Sequence, residues 1–443
     1  MPLDPQLPSL IAGGGGRVWF WRLVFLANRL RLSADNPLKL PQYYTQEGIM
    51  QLISDATQAN IEGGSWIRRM FEAGIAMKKE FGEDAVCDFS LGNPDLAPPA
   101  EVALALRELA DKADKPFSLG YMPNGGTPRV RALLASHLSA QQQTPLTENE
   151  VLLSCGAAGA INALFKAILN PGDEVLAIAP YFVEYGAYAA NHGGVFKTVR
   201  SKADTFSLDL EAIDRAITNK TRALIINSPN NPTGKIYSHE EITGLVALLK
   251  SKNAGQKRPV FLVSDEPYRF LAYDGATVPA LLPLYPYAAV VSSFSKNLCI
   301  PGERIGYVAL SPLMEGREKL AAGIILANRI LGYVNPPVVG QYIIEKALNS
   351  QVDASIYLAR RNVMANLLTD AGYEFFMPQG AFYFFPKAPG GDDIAFTEKL
   401  RQQRILAVPG TGFGGPGYFR LAFCVDEKVI LRAADGLKKA VQG

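Results

Sequence analysis

The sequence predicts an α/β fold, in which helices cover both faces of a mostly parallel β-sheet, with a smaller α+β region after it. Between residues 99 and 330, short apolar runs alternate with helix-length segments, which is typical of a parallel sheet buried on both faces. Beyond residue 330, strands and helices are mixed without that alternation, which favours α+β packing. The chain has 443 residues, enough for one large domain and one smaller domain.

The predicted sheet consists of β-branched and nearly continuous apolar runs. They are VLLS (151–154), EVLAIA (174–179), ALIINS (223–228), PVFLVSD (259–265), AAVVSSF (288–294) and RIGYVAL (304–310). A helical pattern, AGAINALFKAIL, follows the first run and ends at the turn NPGD, residues 170–173. Ligands bind such sheets at the carboxyl ends of the strands. The polar residues that follow these runs are therefore the candidates for a functional site.

The last third of the chain predicts short strands between helices. We expect helices over residues 353–371, 395–404 and 427–441, and strands over AFYFF (381–385), ILAV (405–408) and YFRLAF (418–423). This change of pattern places the large domain at residues 99–332. It divides the smaller domain between residues 50–98 and residues 333–443.

Residues 1–49 differ in composition from the rest and are predicted to be a poorly ordered extension, ahead of a functional chain that starts near Met50. They contain Trp19 and Trp21 and an apolar run over residues 18–27. That run is about ten residues long, whereas a membrane-spanning helix takes about 20 apolar residues. An interfacial anchor is the alternative for this segment, and we predict no stable membrane insertion.

Composition and charge argue against several classes of protein. The net charge is +2 and the isoelectric point about 8.2, which does not predict a nucleic-acid partner. The four cysteines form no CxxC pair and only three histidines are present, so we predict no metal site. Unpaired thiols are typical of a reducing compartment, which predicts a cytoplasmic protein. No GxSxG motif is present, which argues against a Ser-His-Asp hydrolase.

The segment SSFSKNLCIPGERIGY, residues 292–307, brings an amine, hydroxyls and a guanidinium to the end of a predicted strand. The Lys296 amine can form a Schiff base with an aldehyde. Ser293 and Ser295 offer hydroxyls, and Arg304 offers a fork of donors that suits a phosphate. A single lysine is usually a solvated surface charge, so it is the combination that indicates a site.

Two other predicted strands lead into polar residues that suit a charged heterocyclic ring. Asp265 ends one apolar run. It either caps a helix or holds a protonated ring nitrogen, because a buried carboxylate needs a cationic partner. Tyr268, three residues further on, can reach the same ring. Asn231 lies in SPNNPTG, where it either shapes the turn or donates its amide hydrogens to a ring oxygen.

Small residues after the first predicted strand complete the pattern. The Gly-Ala-Ala-Gly stretch at 156–159 either forms a closely packed turn or presents backbone amides that bind phosphate at a helix N-terminus. An amine, an aspartate and a phosphate cup together describe a receptor for pyridoxal phosphate (PLP), in which the freed Lys296 amine is the natural base for the substrate Cα proton.

A dinucleotide-binding dehydrogenase would need a GxGxxG motif after a strand, where this chain has none.

The motifs SPNNPTG, SDEPY, SFSKN, GERIGY and PGTGFG, followed by FRLAF, resemble those of class I/II aminotransferases of PLP fold type I, over residues 65–443. The resemblance implies a large domain with a mostly parallel seven-stranded sheet between helices, and a smaller α+β domain. It implies an enzyme that moves the amino group of an L-amino acid to a 2-oxo acid by a ping-pong mechanism. It also implies a homodimer with shared active sites.

The resemblance assigns a role to each candidate residue. Lys296 is the Schiff-base lysine and proton shuttle, Asp265 binds the ring nitrogen, and Tyr268 is the third catalytic residue. The cofactor-binding residues are Lys296, Ala157, Ala158, Phe182, Asn231, Asp265, Tyr268, Ser293, Arg304 and, towards the neighbouring subunit, Tyr121. The substrate-binding residues are Gly92, Asn231, Arg420 and Arg329, of which Arg420 binds the α-carboxylate.

The identity of the substrate depends on Arg329. Aspartate-specific members of the family bind the distal carboxylate with a partner-subunit arginine shortly before an NPP segment. Arg329 precedes VNPP in this chain, one position out of register, and a surface arginine is the alternative reading. The predicted donor is aspartate and the predicted acceptor 2-oxoglutarate. The alternatives are a transaminase of alanine or aromatic amino acids, a C–S lyase, or a non-catalytic PLP-binding regulator, for which the first fifty residues are too short and hydrophobic.

Overall fold

The computed structural model describes residues 52–62 and 66–442. The chain divides into two units, Met1–Glu62 and Gly63–Gly443. The described part of the first unit contains one helix, α1 (Asp55–Glu62). The predictions for residues 1–49 and for a start near Met50 lie outside the described residues. All other described elements belong to the second unit, beginning with α2 (Trp66–Phe81).

The second unit is built on a seven-stranded sheet with the strand order β2-β8-β7-β6-β5-β3-β4. The strands are β2 (Val151–Ser154), β3 (Glu174–Ala179), β4 (Val195–Arg200), β5 (Thr221–Asn227), β6 (Phe261–Asp265), β7 (Ala288–Ser293) and β8 (Gly306–Leu310). Neighbouring strands are parallel, except that β8 is antiparallel to both β7 and β2. The predicted mostly parallel seven-stranded sheet is confirmed.

The strand β4 is the member of this sheet that the apolar runs did not predict. It lies at the edge of the sheet and pairs only with β3. Its sequence, VFKTVR, has only exposed and half-buried residues. Edge strands are covered less than central ones, so β4 does not need the continuous apolar run that marks a strand buried on both faces.

Helices flank both faces of the sheet, and the sheet lies between two apolar cores. The helices are α3 (Ala100–Ala110), α4 (Pro128–Gln141), α5 (Gly156–Ile168), α6 (Tyr185–Ala190), α7 (Leu210–Ala216), α8 (His239–Asn253), α9 (Arg317–Ile330) and α10 (Val338–Ala347). Val151 and Leu153 face one core and Leu152 faces the other. This alternation explains why both faces of each central strand are apolar. None of the described helices is long and apolar enough to cross a membrane.

The C-terminal third forms a three-stranded antiparallel sheet with the order β11-β12-β9. Its elements are α11 (Ala354–Asp370), β9 (Tyr383–Phe384), α12 (Asp393–Gln402), β10 (Ile405–Leu406), β11 (Val408–Pro409), β12 (Phe419–Ala422), α13 (Glu427–Arg432) and α14 (Ala434–Gln442). The strand predicted over 405–408 is two strands, because β10 pairs with β1 (Cys87–Asp88) and β11 with β12. The helix predicted over 427–441 is likewise interrupted, at Ala433.

Candidate active site

A cavity of about 320 Å³ lies at the carboxyl ends of β5, β6 and β7. Twelve of the candidate residues line it, namely Gly92, Ala157, Ala158, Phe182, Asn231, Asp265, Tyr268, Ser293, Ser295, Lys296, Arg304 and Arg420. Six residues that were not candidates complete the lining, namely Ile161, Tyr188, Asn227, Pro267, Pro301 and Tyr383. Because these three strands are parallel, their carboxyl ends meet at one edge of the sheet, where ligands bind in open α/β sheets.

Lys296 is held at the cavity wall by a backbone carbonyl. It lies three residues beyond the end of β7, and its Nζ donates a hydrogen bond of 2.6 Å to the Gly92 carbonyl oxygen. Burial lowers the pKa of Lys296 to about 8, because a desolvated site disfavours the ammonium form. The neutral amine, which is the nucleophilic form, is therefore available near physiological pH.

Asp265 is a buried carboxylate that has no cationic partner among the described residues. It is the last residue of β6, and its Oδ2 accepts a hydrogen bond of 2.6 Å from the Tyr185 hydroxyl. Its Oδ1 is buried and bonds to none of the residues that the structure describes. Burial raises the pKa of Asp265 to about 7, although the Tyr185 hydrogen bond opposes that rise. The protonated nitrogen of a PLP ring would supply the missing partner, so Asp265 fits this cofactor.

Asn231 and Tyr268 line the same cavity as the substrate-binding candidate Arg420. The Asn231 backbone N–H donates to Asn227 Oδ1 at 2.6 Å, which fixes the turn after β5. Its side-chain Oδ1 accepts from Arg420 Nη1 at 3.1 Å. The amide nitrogen bonds to no described residue and remains a donor for a ligand. The Tyr268 hydroxyl lies 2.7 Å from the Tyr383 hydroxyl.

The phosphate-cup candidates converge at the N-terminus of α5. Gly156 begins the helix with a φ of 70°, a conformation that favours glycine. A Cβ at Gly156 would lie 2.8 Å from Arg304 Nη2, so the guanidinium packs against the first turn. Ala157 and Ala158 follow in that turn, and the buried Ser293 ends β7. Helix amides, a hydroxyl and a guanidinium are the groups that bind a phosphate.

Arg420 is a guanidinium buried between two aromatic rings. It lies in β12 and is 1% exposed. Its Cζ lies 4.9 Å from the ring centroid of Tyr383 and 4.8 Å from that of Phe413. Its Nη1 and Nη2 donate to Asn231 Oδ1 and to the Ser90 carbonyl oxygen, and its Nε has no partner in the described part of the chain. Arg420 has no carboxylate partner among the described residues, so it suits the carboxylate of a ligand.

The sequence model of the family "Aminotransferase class I and II" matches residues 84–437. The chain belongs to this family. The predicted class of enzyme, an aminotransferase, is thereby confirmed, and the family implies PLP as its cofactor.

Curated relatives and solved structures agree with this family. An aspartate/prephenate aminotransferase of Thermus thermophilus is 31% identical over 80% of this chain and 90% of its own length. An aspartate aminotransferase of Thermotoga maritima is 30% identical over 81% and 91%. The crystal structure of an aminotransferase from Eubacterium rectale has a TM-score of 0.85 at 35% identity, covering 89% of this chain and 99% of that one. The Thermus thermophilus aspartate aminotransferase with maleate has a TM-score of 0.77 at 26% identity, over 88% and 100%. PLP fold type I is thus confirmed.

Two candidate residues of the aminotransferase do not line the cavity of their own chain. Tyr121 is 91% exposed, and Arg329 lies exposed near the C-terminal end of α9. Both were predicted to act across a subunit boundary, Tyr121 on a neighbouring phosphate and Arg329 on a neighbouring substrate. Their roles therefore stay predictions.

Three residues with important positions in the aminotransferase were absent from the sequence prediction. Asn227 ends β5, and the same strand-end argument that selected Asp265 could have found it. Tyr185 follows the candidate Phe182 by three residues, but only the fold brings its hydroxyl to Asp265. Tyr383 lies in β9, far along the chain, and no local pattern marks it.

Proposed function

We propose that this aminotransferase binds PLP in the cavity and moves the amino group of L-aspartate to a 2-oxo acid such as 2-oxoglutarate. The observation that carries the proposal is the buried Asp265 Oδ1, which has no hydrogen-bond partner among residues 52–62 and 66–442, in one cavity with the Lys296 amine. A buried carboxylate without a cation is costly, and a ligand with a protonated ring nitrogen and an aldehyde offers a partner to both groups.

When it is bound, PLP withdraws electrons from the substrate Cα and so makes the Cα–H acidic. Asp265 would accept a hydrogen bond from the ring nitrogen and keep that nitrogen protonated. Tyr268 and Asn231 would donate to the ring oxygen, and Phe182 would cover one face of the ring. The residues that would hold the phosphate are Ala157 and Ala158 through their backbone amides, Ser293, Arg304 and, from the partner subunit, Tyr121.

Lys296 has two tasks in the proposed reaction. Its neutral amine would hold the cofactor through the aldehyde group, and the same amine would take the proton from the substrate Cα. The pKa of about 8 lets Nζ accept a proton and release it again near neutral pH. The hydrogen bond to the Gly92 carbonyl keeps Nζ at the cavity wall.

Arg420 orients the substrate by its α-carboxylate. The guanidinium is fixed by two rings and by two hydrogen bonds to neutral oxygens, so it is preorganised for a carboxylate. Gly92 would bring its backbone next to the same group. A 2-oxo acid carries the same carboxylate as an amino acid, so one arginine serves both halves of a ping-pong cycle.

Aspartate as the donor is supported by the names of the relatives, which include aspartate and aspartate/prephenate aminotransferases. Among the described residues that line the cavity, the cations are Lys296, Arg304 and Arg420. Each of these already has a proposed partner. A second substrate carboxylate would therefore need a cation from outside this lining, and we propose Arg329 of the partner subunit for that task.

The proposed assembly is a cytoplasmic homodimer with shared active sites. Large apolar side chains are exposed around the residues expected at the subunit boundary, including Phe117, Tyr121, Leu326 and Ile330, as is typical of an interface. The four cysteines are free, which supports a reducing compartment. We also retain the division into a large domain, residues 99–332, and a smaller one. The pairing of β1 with β10 supports joining the segment before residue 99 to the C-terminal part.

The test is a donor panel with 2-oxoglutarate, run on the wild type and on Lys296→Ala. We expect aspartate to give the highest kcat/KM in the wild type, and no transamination in the variant. The variant should also lack the absorbance of the lysine-linked cofactor. Lys166→Ala, which removes an exposed lysine of α5, is the control and should behave as the wild type. Release of pyruvate or ammonia without amino transfer would contradict the proposal.

The role of Arg329 has its own test. Arg329→Leu should lower kcat/KM for aspartate by roughly 10²-fold, because a substrate carboxylate loses its partner, and should leave alanine nearly unchanged. If Arg329→Leu left kcat/KM unchanged for both aspartate and alanine, Arg329 would be excluded as the residue that binds the distal carboxylate.

A further inference from the structure

Two buried phenols meet at the cavity from different parts of the fold. Tyr268 follows β6 of the seven-stranded sheet, and Tyr383 lies in β9 of the three-stranded sheet. Both line the cavity and are 5% and 2% exposed. Their hydroxyl oxygens are 2.7 Å apart. One phenol therefore donates to the other, and the proton of the acceptor is directed elsewhere.

Tyr383 also contacts the two groups expected to bind the substrate carboxylate. Its ring lies 4.9 Å from Arg420 Cζ, in cation–π contact. A Cβ built on Gly92 would lie 2.0 Å from the Tyr383 hydroxyl oxygen, so only glycine leaves room for the phenol. Gly92 in turn accepts the hydrogen bond of Lys296. Tyr383 is thus packed among Tyr268, Arg420 and Gly92.

The hydrogen-bond capacity of the two phenols identifies the donor. Each phenol has a single proton, and one of the two protons lies between the hydroxyl oxygens. In the proposed function the Tyr268 proton is donated to the cofactor ring oxygen. The proton between the two hydroxyl oxygens is then that of Tyr383, so Tyr383 donates and Tyr268 accepts.

We infer that Tyr383 is a positioning residue that acts through Tyr268 and Arg420. Its hydroxyl donates to Tyr268 and directs the Tyr268 proton towards the cofactor oxygen, while its ring holds Arg420 in line for the substrate carboxylate. The inference rests on the proposed function, since both neighbours have their roles only in a PLP site. Through these two residues, one side chain of the C-terminal sheet would help to position both the cofactor and the substrate.

Absorbance against pH in the holoenzyme tests the role of the hydroxyl. Donation from Tyr268 stabilises the anionic ring oxygen and therefore the deprotonated form of the lysine-linked cofactor. Tyr268→Phe should move the absorbance transition to higher pH. Tyr383→Phe should move it in the same direction by a smaller amount, up to about one pH unit, because it weakens that donation. Tyr373→Phe is the matched control, since it removes a buried hydroxyl that donates to the Leu437 carbonyl, outside the cavity lining.

The role of the Tyr383 ring is tested separately, through KM for the amino acid donor. Tyr383→Phe keeps the ring, so KM for the amino acid donor should stay within about twofold of the wild type. Tyr383→Leu removes the ring and should raise KM by roughly two- to thirtyfold, through loss of the contact with Arg420. Far-UV circular dichroism and the unfolding midpoint, compared with Tyr373→Phe, distinguish this effect from loss of fold.

The outcomes separate the inference from the function on which it rests. An absorbance transition that moves in Tyr268→Phe and stays in place in Tyr383→Phe overturns the role of the Tyr383 hydroxyl alone. A transition that stays in place in both variants overturns that role together with the assignment of Tyr268. A KM that is equal in wild type and Tyr383→Leu overturns the role of the ring. A wild type that binds no PLP contradicts the proposed function itself.

Discussion

The buried charges of the cavity lack ionic partners, whereas all but one of those in the surrounding scaffold form ion pairs. Nine charged residues are buried in the described part of the chain: Glu150, Glu174, Lys235, Asp265, Glu266, Arg360, Arg361, Asp393 and Arg420. Six of them form ion pairs in the scaffold. Asp393 instead accepts hydrogen bonds from Thr411 and Gly417. The two that remain, Asp265 and Arg420, both line the cavity.

This difference indicates that the cavity is built for a ligand with charges of both signs. An unpaired buried charge costs stability, and the described scaffold offsets that cost with ion pairs or, at Asp393, with hydrogen bonds. Asp265 and Arg420 have opposite charges and could form an ion pair, but each is held by other contacts. Asp265 accepts from Tyr185, whereas Arg420 is bound to Asn231 and Ser90 between two rings. Each therefore keeps free capacity for a group that the described chain does not supply.

Of the two cavity charges without ionic partners, Asp265 should give the larger change in activity when it is replaced, with little loss of stability. Asp265→Asn removes the anion that would keep the ring nitrogen protonated, so kcat should fall by about 10³-fold. Glu266→Gln is the matched scaffold variant, because Glu266 pairs with Arg269 at 2.6 Å. It should lower the free energy of unfolding by about 3 kcal/mol with a smaller effect on kcat.

The unpaired Asp265 carboxylate should also make the stability of the apo-protein depend on pH. The folded-state pKa of Asp265 is raised from 3.8 to about 7, so the native state binds more protons than the unfolded state between these values. The Asp265 carboxylate should therefore destabilise the apo-protein as pH rises from about 4 to 7. Asp265→Asn should unfold at a higher temperature than the wild type at pH 8 and at a similar one at pH 4. A lower midpoint at pH 8 would show that Asp265 is stabilised by a partner.

Replacing Arg420 should give the next largest effect. Arg420→Leu removes the partner of the substrate α-carboxylate, so kcat/KM for every amino acid donor should fall by roughly 10²-fold or more. The apo-protein should lose less stability than a variant that breaks a scaffold ion pair, because the lost guanidinium had hydrogen bonds to neutral oxygens but no carboxylate partner. Arg360→Leu is the scaffold control: it breaks a bidentate pair with Asp95 and should reduce stability. Calorimetry of both apo-variants checks the contrast, and equal losses of stability would contradict it.

Most of the fold could be predicted from the sequence because burial on both faces leaves a clear pattern. Six of the seven strands of the main sheet are continuous apolar runs, and the central ones separate two cores. The edge strand β4 has no such requirement and was missed. The two-residue strands β10 and β11 were merged, because the change of pairing partner at Ala407 is a tertiary feature without a local signal.

The residues of the candidate site could likewise be predicted where a local sequence pattern marks them. Residues next to strand ends, such as Asp265 and Ser293, could be selected because parallel strands bring their carboxyl ends together. Tyr185 and Tyr383 could not, because each acts on a residue 80 or 115 positions away. A phenol within an apolar segment reads as core, and only the folded chain shows which groups its hydroxyl meets.

Lys296 extends the comparison to a group whose partner is expected to bind covalently, and here the smallest effect is expected, because only the pH is changed and no residue is replaced. Its pKa is lowered by burial to about 8, so the rate constant for PLP capture by the apo-protein should rise about tenfold per pH unit below pH 8 and level off above it. Stopped-flow absorbance measures this profile, and Lys166→Ala should reproduce it. An exposed lysine would stay protonated up to about pH 10.4. A rate that keeps rising to that pH would mean that the cavity does not desolvate the amine, and Asp265 and Arg420 would then share a wetter site than their burial indicates.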